Sequence, residues 1–152
     1  MGRQEPAGSS LRQSGRGRLG YMSESPSYEG GCHCGAVRFR VRVECFEAEE
    51  CNCSVCRKKG YLHLIVPPEH FELLCGEEAL ATYTFNTGIA KHHFCRDCGV
   101  AAFYRPRSHP DHYDVNLRCL DEDLIDRFAI LPFDGRHWEQ NVGRLRERLP
   151  NR

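Results

Sequence analysis

No apolar run in this 152-residue chain exceeds a few residues, so it contains no stretch able to form a transmembrane helix. Net charge is absent too. Lys plus Arg and Asp plus Glu number 21 each, which leaves no overall field to draw the protein onto nucleic acid or an anionic membrane. The first twenty residues lack an apolar segment, so no secretory signal is expected. The expected setting is the reducing cytoplasm, where clustered cysteines serve as metal ligands rather than disulfides. A phosphate loop, a nucleophile elbow and a dinucleotide fingerprint are all missing. The length suits one domain with a core of its own.

What the chain has in quantity is cysteine, ten in all, and seven of them fall into three tight groups. Cys32 and Cys34 stand in GGCHCG; Cys51, Cys53 and Cys56 in CNCSVC; Cys95 and Cys98 in FCRDCG. Thiolates one to three residues apart on a tight turn can bind one ion, and zinc accepts four of them tetrahedrally. Seven thiolates divide into a closed four-sulfur site and a three-sulfur site with a vacant position, which implies two zinc ions per chain. In the first and third groups a glycine directly follows the last cysteine, free to take positive φ and turn backbone N–H groups toward sulfur. Two such turns on neighbouring strands form a clamp of Cys32, Cys34, Cys95 and Cys98, structural because it has no open position.

The middle group offers three thiolates within six residues, followed at once by Arg57, Lys58 and Lys59. A fourth position on that zinc can take water or a substrate thiolate. Arg57 and Lys58 are candidates for binding an anionic substrate, with a solvated loop as the alternative. Cys45, or a histidine, could instead close the site and make it a second structural zinc. No histidine pair has metal spacing, so each histidine is expected to be structural or exposed. Of His92 and His93 only one can face a pocket. Cys75 and Cys119 are expected to be small core residues.

Patterning gives a mainly β fold of small antiparallel sheets. Residues 36–43 alternate Val37, Phe39, Val41 and Val43 with arginines, the signature of a half-buried strand. Further strands are expected at 61–66, 71–74, 81–85, 90–94, 100–105 and 113–117, with Asn86-Thr87-Gly88 as a hairpin turn. Trp138, Val142, Leu145 and Leu149 recur at helical spacing and predict a C-terminal amphipathic helix. Asp121 could cap a short helix through Asp126. Residues 1–29, rich in Gly, Ser, Arg and Pro, read as a disordered tail, with Met22 as an alternative start. Arg3, Arg12, Arg16 and Arg18 make that tail at most a weak nucleic-acid arm. The zinc-binding domain is expected over 30–142, with 143–152 as the helix end.

GGCHCGAVRF, CNCSVCRKKG and TYTFNTGIAKHHFCRDCG followed by FYRPRSHP resemble the glutathione-dependent formaldehyde-activating enzyme family. That family includes the conserved domain of centromere protein V, and the resemblance spans residues 28–141. It implies a small antiparallel fold held by zinc, with the structural ion on Cys32, Cys34, Cys95 and Cys98 and the catalytic ion on Cys51, Cys53 and Cys56. The implied activity is condensation of glutathione with formaldehyde to S-(hydroxymethyl)glutathione, classed as a carbon–sulfur lyase. The implied partner is a small-molecule thiol, glutathione. Two other readings fit the same residues. One is a non-catalytic interaction module of the centromere protein V type; the other is a redox sensor using the thiolates.

Overall fold

The computed structural model describes residues 24–149. Ten strands and two helices follow in chain order: β1 (Ser27–Gly31), β2 (Arg38–Arg42), β3 (Glu47–Cys51), α1 (Cys56–Lys59), β4 (Leu62–Val66), β5 (Phe71–Cys75), β6 (Leu80–Tyr83), β7 (His92–Cys95), β8 (Phe103–Tyr104), β9 (Tyr113–Asn116), β10 (Ala129–Phe133) and α2 (Trp138–Arg148). They make three sheets, ordered β1-β2-β5, β10-β3-β4-β9-β8 and β6-β7. The mainly β expectation holds, with one addition. β10 runs parallel to β3, so the five-stranded sheet is mixed rather than purely antiparallel.

The alternation at 36–43 works as its pattern requires. Val37, Phe39, Val41 and Val43 are all buried, while Arg38 and Arg40 turn outward to pair with Asp121, Glu29 and Glu72. Asp121 is therefore an ion-pair partner and not a helix cap; the nearby helical turn is Ile125–Arg127. β1 begins inside the stretch read as tail, where Tyr28 is buried and packs edge-on against Phe46. The rest of the tail, residues 1–23 with Met22, lies outside the described residues. Cys75, expected in the core, is exposed at the end of β5, whereas Cys119 packs half-buried against the core.

β4 shows how the five-stranded sheet divides the molecule. Every residue of Leu62–Val66 is buried, because this strand lies mid-sheet with both faces covered. Leu62, Leu64 and Val66 enter the main core with Val115, Phe103 and Ala48. His63 and Ile65 point the other way, with Glu49 and Cys51 of β3, Asp114 of β9 and Tyr104 of β8. One face of this sheet is thus core and the other is the wall of a cavity. α2 closes part of that second face, packing Leu145 and Leu149 on Ile65 and Phe133. Its Arg148 pairs with the buried Glu49. The helix runs unbroken through residue 143, and Gly143 opens onto free space. No helix among the described residues is long and apolar enough to cross a membrane.

Candidate metal centre

None of the ten cysteines is in a disulfide. Cys32, Cys34, Cys95 and Cys98 converge, and their sulfurs can hold one metal ion. The separations Cys32–Cys34 and Cys34–Cys95 are 3.6 and 3.7 Å. A tetrahedron with zinc–sulfur bonds of ~2.3 Å has edges of about 3.8 Å, so these spacings fit that ion. Local backbone explains the convergence. Gly35 and Gly99 adopt φ of +81° and +76°, with nothing near the position of a Cβ, so left-handed backbone and not crowding selects glycine. Each turn is closed alike, by Cys32 N–H on the Val37 carbonyl and Cys95 N–H on the Val100 carbonyl, both 3.0 Å. The Val37 N–H donates to the Cys32 sulfur at 3.3 Å. Backbone N–H groups of Cys34 and Val100 hold the Cys98 thiol down to about 6, the direction a ligand thiolate needs.

The middle group is assembled differently. Cys51 ends β3, Cys53 sits in the turn and Cys56 opens α1. The N–H of Cys53 donates to the Cys51 sulfur and that of Cys56 to the Cys53 sulfur, each at 3.5 Å. Hydrogen bonds from the Cys51 and Cys56 thiols push the Cys53 thiol well below the usual range, while the same contacts push Cys51 and Cys56 up. Donor atoms of Cys51, Cys56 and His63 lie within 4.8 Å of one another, a second group able to hold a metal. Cys53, expected as a ligand with Cys51 and Cys56, is not of this group, and its sulfur instead accepts the Cys56 N–H beside it. Among the described residues Cys45 joins neither group; it lines a separate small cavity with Glu47 and Leu149.

His63 was expected to be an ordinary structural histidine, and the structure places it beside the cysteines instead. Its Nδ1 is 2.8 Å from Asp114 Oδ2, its Nε2 has no hydrogen-bond partner among the described residues, and the residue is 5% exposed. Tyr61 and Tyr104 flank the ring at 4.7 and 6.0 Å between centroids. Burial disfavours its charged form but the Asp114 carboxylate outweighs that, so the pKa of His63 is raised.

Cys51, Cys53, Cys56 and His63 line a cavity of about 720 Å³, walled by Phe85, His92, Tyr104 and Trp138. Of the histidine pair, His92 faces this cavity, stacked on Tyr104 at 4.8 Å; burial lowers its pKa to about 4, so it is neutral near pH 7. His93 instead meets the Thr82 hydroxyl at 2.8 Å. Arg57 and Lys58 do not reach the cavity. Cys56 is the buried residue of α1, and the three that follow it are exposed. The guanidinium groups that do line the space are Arg107 and Arg136. Arg107 pairs with Glu139 at 2.6 Å and lies 5.3 Å over the Trp138 ring. The Arg136 backbone N–H donates to Asn52 Oδ1 at 3.0 Å, and its Nε to the Asn52 carbonyl. Gly135 is pressed against the cluster: a Cβ there would stand 2.4 Å from the Cys51 sulfur.

Comparison with known proteins agrees with this arrangement. Residues 27–131 match the family described as glutathione-dependent formaldehyde-activating enzyme. A Halomonas elongata protein named "Putative glutathione-dependent formaldehyde-activating enzyme" is 31% identical over 105 residues, 63% of this chain and 67% of that protein. A crystal structure of a Rhodobacter sphaeroides protein superposes with a TM-score of 0.63 at 34% identity, covering 69% of this chain and 99% of the other. The matched span contains all three cysteine groups, and the chain belongs to the glutathione-dependent formaldehyde-activating enzyme family.

Proposed function

We propose that this chain joins a small aldehyde to a thiol, glutathione in the first instance, forming a carbon–sulfur bond as in S-(hydroxymethyl)glutathione synthesis. The observation that carries the reading is that Cys51, Cys53 and Cys56 all line one cavity of about 720 Å³, with the donor atoms of Cys51 and Cys56 close enough to share an ion, while the other four sulfurs complete a set of their own. Cys32, Cys34, Cys95 and Cys98 would hold a structural zinc, and Cys51, Cys53 and Cys56 a catalytic one. Zinc bound at the second site supplies Lewis acidity, which lowers the charge cost of a thiolate nucleophile or of a developing alkoxide.

The rest falls to the chain. Net, the thiol sulfur bonds to the carbonyl carbon, the π pair of the carbonyl moves to oxygen, and the thiol proton ends on that oxygen. The cavity volume lies within the range that encloses small ligands, and confining both reactants replaces a bimolecular encounter with a local one. Phe85, Tyr104 and Trp138 give the cavity an apolar wall, and His92, whose pKa burial lowers to about 4, adds no charge to it near pH 7. Arg107 and Arg136 offer positive charge to the carboxylates of a peptide thiol, the role that adjacency in sequence assigned to Arg57 and Lys58.

Exchange between formaldehyde plus glutathione and the adduct, followed by NMR with and without zinc-loaded protein, tests the reading. Faster exchange is expected; an unchanged rate with both ions bound would sink the enzymatic reading. Crowding at Gly135 gives a second prediction. Gly135→Ala must displace the Cys51 sulfur, and overpacking of that kind costs about 1–3 kcal/mol, roughly ten- to a hundredfold in affinity. Chelator competition should show that loss for one ion and not for the other.

A further inference from the structure

We propose that His63 is a fourth protein ligand of the second metal site, held in its ligating orientation by Asp114. The inference rests on the reading that Cys51, Cys53 and Cys56 hold a metal, and it adds the donor that their spacing does not disclose. Three independent observations meet at this ring. First, a His63 ring nitrogen lies within 4.8 Å of the sulfurs of Cys51 and Cys56, on the cavity side of the sheet. Second, Asp114 Oδ2 occupies Nδ1 at 2.8 Å, which leaves Nε2 as the nitrogen available to an ion. Third, that Nε2 is buried and unpartnered among the described residues.

A histidine buried for packing alone would leave Nε2 unsatisfied, a costly state that native interiors avoid. An ion in front of Nε2 removes the deficit. The carboxylate behind the ring is the usual partner of a ligating histidine, fixing both tautomer and orientation. The sheet supplies this pairing without a loop. His63 lies on β4 opposite Asn116 of β9, and Asp114 lies opposite Ile65, so the two side chains are diagonal neighbours on one face. The Tyr61 hydroxyl donates to the Asp114 carbonyl at 2.7 Å and anchors the strand beneath the carboxylate. The resulting donor set is three sulfurs and one nitrogen. With an ion bound, the imidazole would be the one uncharged donor and hence the one a substrate thiolate could replace, which would reconcile a filled fourth position with the proposed chemistry.

Titration with Co²⁺, whose d–d bands and sulfur-to-metal charge transfer report the donor set, tests the assignment on the full chain. Wild type is expected to take two ions. His63→Ala should weaken the second by roughly ten- to a hundredfold and shift its d–d bands, with added imidazole restoring both. Asp114→Asn should weaken the same ion and leave the band positions in place, the mark of a residue that orients a ligand without touching the metal. The bands of the four-sulfur ion serve as the folding control. If His63→Ala loses those as well, the titration is decided on His63→Gln, which keeps the buried volume. Two ions bound with unaltered affinity and spectrum in the His63 variant would overturn the assignment alone. A single ion bound by wild type would overturn the three-cysteine reading beneath it.

Discussion

Removing zinc from the four-sulfur cluster is expected to unfold the chain, and Cys95→Ser to bring it close to unfolding at 37 °C. The reason lies in what the cluster joins. Cys32 and Cys34 follow β1 of the three-stranded sheet, whereas Cys95 ends β7 of the two-stranded one. A hairpin of two strands is marginal by itself. Beyond its own pairing, β6-β7 is tied to the body by the Lys91–Arg105 bridge, by the rings of His92 and His93 on Tyr104 and Phe103, by Cys95 and Leu80 in or against the core, and by these sulfurs. A structural zinc bound here would contribute about 10–16 kcal/mol, against a typical total stability of about 5–15 kcal/mol, so the domain is not expected to survive the loss of the ion. One ligand of four accounts for about 3–4 kcal/mol on that scale. Cys95 is also 1% exposed within the main core, where a serine hydroxyl finds no apolar welcome. Circular dichroism during chelation gives the test. A chelated protein that keeps its β signal and melts at the same temperature would remove the structural role of this ion. The effect reaches the cavity too, because the β6-β7 hairpin carries Phe85 and His92 into its wall.

The contrast between what could and could not be read from the sequence follows from range. The cysteine groups were legible because short spacing is itself a metal-site signal: within each group the thiols sit one to three residues apart on a single turn, although the first and third groups, which meet at one cluster, lie about sixty residues apart. The strand at 36–43 was legible because arginines alternate with Val37, Phe39, Val41 and Val43, and period two needs no partner to be seen. β3 was not. Its EAEEC reads as solvent-exposed, whereas Glu49 is buried and pairs with Arg148, 99 residues later. Its parallel neighbour β10 was missed with it. The apolar run around His63 hid the site for a related reason: a strand buried on both faces does not announce which face holds the core. Asp114, 51 residues away, is what distinguishes His63 from its neighbours. Arg57 and Lys58 show the limit of adjacency: they follow Cys56 directly, yet they are exposed on α1 and are not among the residues that line the cavity.

Cys53→Ala is expected to return adduct exchange to the uncatalysed rate while leaving the fold intact. Alanine keeps the Cβ that fits beside Gly135 and deletes only the sulfur, so no cavity wall moves. The sulfur removed belongs to the thiol whose pKa the Cys51 and Cys56 hydrogen bonds lower. Taking one donor from a set worth about 10–16 kcal/mol lowers affinity for that ion by about 3–4 kcal/mol, roughly a hundred- to a thousandfold. At equimolar zinc and chelator the second site should then be empty and the first full, so a lost rate cannot be blamed on unfolding. Two further variants sharpen the result. Lys58→Ala, exposed and outside the cavity, should change the rate less than twofold. Arg136→Ala should raise KM for glutathione with kcat little altered, the signature of a contact made equally to ground and transition states. If Cys53→Ala still accelerates exchange with a single ion bound, the middle cysteines are not where the carbon–sulfur bond forms. The cavity would then have to be read as a binding site whose chemistry lies with another thiol adduct.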